Sequence, residues 1–542
     1  MSEMYDVVIV GYGPTGQTFA ALMASKGYRI AVVERWPEVF PLPRAGHVDH
    51  EVMRILQAVG VADDIAENSW KLTHYEFLDA NSEVLHAFDW GYEAKSGWYS
   101  DYSLFQPHLE GLLHDQVARH PQVDFFRGWR AESVADHPDH VAVQIRRGSR
   151  TDADSWSEGW TQGTEAQELR ARYVVGCDGA NSLVRTSSKI EMDDFGFEAD
   201  WLVIFADPAD RSLVVDMPDM AQILDPKRPT TAFRASGNRF CRWEFMLMPG
   251  ETVEQMSTPE AAWGLIARWG LNPDNARLVR NTVFRFRSLV AHEWRSGRAF
   301  LVGDAAHLMP PFMGQGMCSG LRDAKTLAWK LDLVLSGRVP EALLDTYGLE
   351  RREHVAEIVE ASLRTGQMIS ITDPQRAKER DDMLRSGKVS PPSPLPGLAD
   401  GILARTPSGE LAPHAGLLSM QPWIEVNGAR VHADDVLGHG WTVVATGWDP
   451  RSAMSADAHT VVDSLEASVG RIETDDTAEA LKNTDGTFAA WLAELVVGPG
   501  AVIIRPDFYV FAAVSSPEEL DAALIQLGQQ LGLSAHAKAP VA

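Results

Sequence analysis

Cysteine is scarce in this chain: Cys177, Cys241 and Cys318 are the only three in 542 residues, and no two form a C-x-x-C pair. That excludes a disulfide framework and a zinc cluster, and fits a reducing cytoplasm. The 17 histidines show no H-E-x-x-H or comparable ligand spacing. No apolar run reaches the roughly 18 residues of a membrane-spanning helix, so none is expected. Met1 runs almost directly into an apolar strand, and no cleaved leader is expected either. Positive charge is also short, with 49 Lys and Arg against 75 Asp and Glu and a net charge of −26. This argues against nucleic acid and anionic membranes as partners. No internal repeat is present. The length predicts several domains.

Three concentrated motifs are present. Tyr5 to Val10 reads as a buried strand and runs into Gly11-Tyr12-Gly13-Pro14-Thr15-Gly16, a complete G-x-G-x-x-G. Its first glycine allows a tight turn, the second lets a pyrophosphate approach the backbone, and the third lets the following helix pack closely. That helix is expected over Gln17 to Lys26 with Gly27 as its C-cap. Ile30 to Val33 then forms a second strand that ends in Glu34, placed to take adenosine ribose hydroxyls. The combination predicts a bound adenine dinucleotide. The second motif is a strand ending in Gly176-Cys177-Asp178-Gly179. Asp178 can cap a helix or bind a hydroxyl, and alone this is a common turn. The third is a strand ending in Gly303-Asp304-Ala305-Ala306-His307, followed by Pro310-Pro311-Phe312-Met313-Gly314-Gln315-Gly316-Met317-Cys318-Ser319-Gly320 and a long amphipathic helix from about Leu321. Gly314, Gly316 and Gly320 bring backbone amides to the helix start, where partial negative charge is favoured.

Between the motifs the pattern changes. Residues 72–90 read as two strands with a turn at Asn81-Ser82. Residues 123–175 read as further strands with a hairpin tip between about 149 and 167. Residues 201–248 read as an antiparallel meander with a turn at Ser236-Gly237-Asn238. Residues 388–397 are the clearest linker, and the remainder reads as a small α/β domain.

Together the three motifs, in this order, resemble the single-component FAD monooxygenases typified by p-hydroxybenzoate and phenol hydroxylases. Pro43-Arg44-Ala45, Met53 to Gln57, Arg242 to Leu247 and Pro310 to Met317 look most similar to 3-(3-hydroxyphenyl)propionate hydroxylases and polyketide-tailoring hydroxylases. The resemblance implies an α/β fold: a Rossmann-like FAD-binding domain (1–72, 100–190 and 285–388) interleaved with an antiparallel-sheet substrate domain (73–99 and 191–284). A linker (389–398) and a thioredoxin-like C-terminal domain without C-x-x-C (399–542) follow. By the same resemblance Gly11, Gly13 and Gly16 bind the FAD pyrophosphate and Glu34 the ribose. Arg44 and Gln106 contact the cofactor's middle, and Asp304 holds its ribityl or pyrophosphate region. Gly316, Met317 and Cys318 offer amides to the flavin ring, with Pro14, Thr15, Arg35, Pro311 and Gly314 beside the same cofactor. Asp178 is implicated in FAD and nicotinamide binding.

The implied reaction uses NADH or NADPH as reductant and O2 as oxidant, and inserts one oxygen into a phenol through a flavin C4a-hydroperoxide. His47, close after the flavin-contacting loop, is the candidate base, with a structural histidine at a helix start as the favoured alternative, and His307 is expected to support its turn. Gln222, Arg234 and Arg242 are assigned to the substrate, with Arg287 a further candidate for a substrate carboxylate. A Baeyer–Villiger or other non-hydroxylating flavoprotein on the same fold stays open. The expected partner is a small phenol, and a homodimer is compatible with it.

Overall fold

The computed structural model describes residues 4–150, 160–210, 217–235, 240–388, 394–475, 477 and 479–533. The expected turn at 236–238, the centre of the hairpin tip and half of the linker lie outside these residues.

The opening strand, Tyr5–Val10, is as buried as its unbroken apolar sequence requires, with Val7, Val8 and Ile9 fully enclosed. It pairs in parallel with Ile30–Glu34 on one side and Trp160–Gly176 on the other. Ala299–Leu301 extends the sheet, again in parallel. Val10 lies level with Gly176, and Gly176 with Leu301. All three motifs and Glu34 therefore emerge at the carboxyl edge of one doubly wound sheet, where such folds bind ligands. The helix after the first motif is Pro14–Ala24, starting three residues earlier than expected because proline fits its first turn.

The meander is present within a larger sheet. Its spatial order is His307–Leu308, Ala276–Ala291, Met192–Pro208, Phe240–Met246, Thr230–Ala235, Met220–Ile223, His74–Leu78 and Val84–Asp89. Met220–Ile223 and His74–Leu78 pair in parallel, the others antiparallel. One face buries Leu202, Ile204, Trp243 and Phe245 with Ile266 and Leu271. The opposite face carries Gln222, Thr231, Glu244 and Val203 in one cross-strand row, and Met220, Phe233, Arg242 and Phe205 in the next. A separate three-stranded sheet joins His47–Asp49, Asp101–Ser103 and Trp70–Lys71.

The chain divides into two compact units, 1–93 with 99–321 and 355–395, and 94–98 with 322–354 and 396–542. Residues 322–354, expected with the FAD-binding segments, thus pack with the C-terminal part. In that second unit, Thr442–Thr446 pairs in parallel with Ser468–Glu473 and antiparallel with Gly500–Ile504, which pairs antiparallel with Val510–Val514. Helices Ala456–Ser464, Thr487–Leu495 and Pro517–Gln530 alternate with these strands.

Candidate functional site

Glycine brings the three motifs together. Gly11 has φ +95°, and a Cβ there would stand 2.3 Å from the Cys177 carbonyl oxygen and 2.8 Å from the Asp178 Cα. Thr15 fills the space between Gly303 and Gly320: Cβ atoms on those two glycines would lie 3.0 and 2.5 Å from its Oγ1. Gly16 packs against Gly11, where a Cβ would meet the Gly11 oxygen at 2.3 Å. Gly13 is different, since a Cβ would have no neighbour nearer than the Arg44 guanidinium at 3.9 Å. Its backbone is left open to a ligand.

The residues present fit a dinucleotide. The helix Pro14–Ala24 has no side-chain cap and no acid in its first turn, so its amide dipoles are left for an anion. Arg44 is exposed beside it and stacks on Phe40 at 4.7 Å, while Arg35 stacks on Trp36 at 5.0 Å. Burial and the neighbouring Arg130 and Arg44 lower the pKa of Arg35, against the pull of Glu34. In a chain of net charge −26, this gathers positive charge where a diphosphate would neutralise it. Glu34 accepts from the Tyr12 amide at 2.8 Å and the Trp36 amide at 2.9 Å, which fixes its carboxylate at the strand end. The Asp304 side chain is solvent-accessible yet ringed by protein, as on a cleft wall. Desolvation raises its pKa, opposed by the charges of His307 and Arg44. Asp178 uses Oδ2 to cap Leu183 and Val184 at 2.7 and 3.1 Å, while its buried Oδ1 has no partner. Gln315 begins the helix running to Leu335, so Gly316, Met317 and Cys318 lie in the first turn, where the amides of Gly316 and Met317 precede the first intrahelical bond. Gly314 has φ +65° and follows the short turn Pro311–Met313.

Five expected residues have other partners. Gln106 was expected against the cofactor. It is buried, accepts from the amides of Arg44 and Ala45 at 3.0 and 2.6 Å, and donates to Glu110 at 2.6 Å, so it shapes the Arg44 loop. Arg242 was expected to meet a substrate carboxylate. It is paired with Glu244 at 2.5 Å and donates to the Arg44 carbonyl at 2.6 Å. Arg287 lies on a half-exposed acidic edge beside Asp194 and Glu198. His47 is not placed as the base: Nε2 is 2.7 Å from Asp101 Oδ1 and Nδ1 is 3.3 Å from the Gly314 carbonyl, so both ring nitrogens face protein oxygens and neither faces a substrate. Arg234 donates from Nε to the Met217 carbonyl at 2.9 Å. His307 is buried and stacks on Trp294 at 5.5 Å. The Cys318 thiol is buried over the carbonyls of Gly314 and His47, a packing role.

Gln222 stands apart. It is fully buried and its Oε1 accepts from Thr231 at 2.7 Å, but its Nε2 has no partner. The Tyr75 hydroxyl sits beside it: burial raises the tyrosine pKa against an interaction with Gln222, but the two side chains do not reach well-formed hydrogen-bond geometry. Around them the face is aromatic: Phe77, Trp201, Phe286 and Phe312 pack with Tyr75 in one cluster. Nothing in the local sequence marks Tyr75, which joins Gln222 only through pairing of strands far apart in the chain.

Burial raises the Glu110 carboxyl to about 7, against the charge of Arg44 and its bond from Gln106. A carboxyl raised from 4.5 holds its proton in the folded state over a range where the unfolded chain has lost it. Stability therefore falls as pH rises from 4.5 to 7 and is level above. The expected loss is about 3 kcal/mol. Glu110→Gln should flatten this slope in urea unfolding between pH 5 and 8; an unchanged slope would assign it elsewhere.

The family profile described as "FAD binding domain" matches residues 4–362, and the profile "HcaD C-terminal domain" matches 416–530. A "Probable NADH-specific resorcinol 4-hydroxylase" of Rhodococcus jostii (strain RHA1) is 36% identical over 95% of this chain and 93% of its own length. A "3-(3-hydroxy-phenyl)propionate/3-hydroxycinnamic acid hydroxylase" of Mycobacterium sp. (strain KMS) is 34% identical, over 83% of this chain and 77% of its own. Among solved structures, the flavin-dependent monooxygenase PieE, crystallised with FAD and substrate, superposes with a TM-score of 0.79 at 20% identity, covering 98% of this chain and 100% of that one. Aklavinone-11 hydroxylase with FAD and aklavinone gives 0.77 at 24%, with the same coverage. At such identities these two speak for the fold alone. The whole first-unit arrangement and the two curated relatives lead to one assignment: the chain belongs to the family of FAD-dependent aromatic hydroxylases, and FAD is its cofactor.

Proposed function

We propose that the protein hydroxylates a small, uncharged phenol bearing a second ring hydroxyl, with NADH as reductant. The observation that carries this reading is the buried pair Gln222 and Tyr75, whose Nε2 and hydroxyl face only each other, without a well-formed hydrogen bond, on an otherwise aromatic sheet face. A buried polar group without a partner costs about 1–3 kcal/mol, and a substrate hydroxyl would recover that. Arg242 and Arg287 lie beside acids, which disfavours a carboxylate-bearing substrate. The relative named for resorcinol is the better guide on this count than those named for phenylpropionate.

Bound FAD supplies electron transfer from the nicotinamide and the activation of O2. The chain's part is to hold and shield it. In this reading Gly11, Gly13, Pro14, Thr15 and Gly16 cradle the pyrophosphate, Arg35 and Arg44 neutralise it, and Glu34 takes the ribose. Asp178, Asp304 and Pro311 line the middle of the cofactor, while the amides of Gly316, Met317 and Cys318 face the ring. Trp201, Phe286 and Phe312 keep water from the reacting face. The strand order of the second unit, a parallel βαβ pair beside an antiparallel hairpin and a final helix, supports a thioredoxin-like C-terminal domain. Lacking any cysteine after Cys318, that domain would serve structure or homodimerisation. Three free thiols and a nicotinamide reductant favour a cytoplasmic setting.

The test compares resorcinol with 3-(3-hydroxyphenyl)propionate as stimulants of NADH oxidation by the holoenzyme. Resorcinol should win by kcat/KM, and Gln222→Leu should raise its KM about tenfold. Preference for the acid, or an unmoved KM, would remove this substrate assignment.

A further inference from the structure

His47 sits on a short strand between two acceptors. Asp101 Oδ1 on the adjoining strand lies 2.7 Å from Nε2, and the Gly314 carbonyl lies 3.3 Å from Nδ1. A neutral imidazole offers one N–H and would turn its remaining lone pair on one of these oxygens. The imidazolium donates to both. Cys318, from the helix after Gly314, is the other titratable group that meets the ring, while Asp49 on the histidine's own strand is engaged with Val52 and Gln315. Burial opposes the charge, but the Asp101 hydrogen bond and the Cys318 contact outweigh it and lift the imidazole well above its ordinary value. The contact is also steric. Gly314 adopts φ +65° directly over the ring, where even a Cβ would come within 2.5 Å of Nδ1. One residue on, Gln315 donates to Asp49 Oδ2 at 3.1 Å, while Asp49 Oδ1 caps the next helix at Val52. Two consecutive residues of the glycine turn are thus tied to one strand.

We propose that His47 is a permanent imidazolium which, with Asp101, pins the Gly314–Gln315 turn so that the first amides of the following helix are aimed at the flavin ring, making His47 a positioning residue for the reduced cofactor. The inference rests on the functional reading above, in which those amides meet the ring. A turn released from His47 loses aim for the extra negative charge of the reduced ring more than for the oxidised one. His47→Gln and Asp101→Asn should each weaken FAD binding at least tenfold. They should also weaken reduced FAD about tenfold more than oxidised, a drop of about 30 mV in the two-electron potential. The double variant should be no worse than either single one.

The wild-type holoenzyme gives a direct reading that needs no variant to fold. With 15N-histidine labelling, and His47→Gln for assignment, both ring nitrogens of His47 should stay protonated from pH 6 to 8.5. A His47 signal that turns neutral within that range overturns the proposal. So do variants that lose thermal stability while keeping FAD affinity and potential. If wild-type protein itself binds no FAD, the functional reading fails; if only the variants are indistinguishable from wild type, this inference alone fails.

Discussion

Gly11→Ala should purify without colour. The position requires φ +95°, where an alanine is strained, and the new methyl would stand 2.3 Å from the Cys177 carbonyl, with the backbone of Asp178 behind it. Neither neighbour is a flexible side-chain end, so relief requires the first and second motifs to separate. Val10 and Gly176 are register partners one residue before this contact, so the shift falls at the carboxyl edge of the sheet. The expected result is folded protein, destabilised by about 1–3 kcal/mol, whose FAD affinity has dropped at least a hundredfold. Gly13→Ala is the control, because its Cβ has open space on the protein side. Its stability should be close to wild type while FAD binding still suffers from crowding on the ligand side. FAD titration by fluorescence with parallel thermal melts separates the two. Equal, tight FAD binding by Gly11→Ala would dissociate the motif contact from the cofactor.

The largest stability effect is expected in the second unit, from Glu350→Ala. Glu350 is fully buried and accepts from Lys330 at 2.9 Å, from Arg505 at 2.7 and 3.0 Å, and from the Ile402 amide at 2.9 Å. Arg505 is paired again with Asp507 at 2.7 Å, and Trp329 donates to Asp507 at 3.0 Å. Truncating Glu350 leaves two cations buried against a single remaining carboxylate. Breaking such a network costs about 3–5 kcal/mol, whereas an intact one contributes little over an apolar replacement. Burial already lowers Lys330 to about 8, in spite of the Glu350 charge, so the variant's cheapest response is a neutral lysine. Hydrogen exchange of the strand Gly500–Ile504 should accelerate about a hundredfold or more. Exchange at the wild-type rate would show that the network is energetically idle.

The parts of the fold legible in the sequence are those where one residue type answers one local demand. Gly11 and Gly303 mark places where another segment comes too close for a side chain, and Gly16 one where its own turn does. The three motifs were therefore readable although they meet only in the folded sheet. Glu34 was readable because its place depends on one strand and one turn. The substrate face was not. Tyr75, Gln222 and Glu244 share it through the pairing of strands His74–Leu78, Met220–Ile223, Thr230–Ala235 and Phe240–Met246, and the first of these joins in parallel from far away in sequence. Arg242 looked free although its partner is local: Glu244, two residues along its strand, shares its face and takes its charge. His47 was a candidate base because it follows the flavin-contacting loop closely, and the structural alternative could not be decided from sequence. Its two acceptors, Asp101 and Gly314, come from distant segments. Residues 322–354 follow the third motif in sequence, but their Lys330, Glu350 and Arg351 are buried with the C-terminal strands and helices of the second unit.

The most direct test of the account is a turnover of the FAD-loaded enzyme with NADH and resorcinol under 18O2. The account predicts resorcinol-stimulated NADH oxidation and a trihydroxybenzene carrying one 18O atom on a ring carbon. Unlabelled product, a ring-expanded lactone, or NADH consumption indifferent to every phenol offered would contradict it.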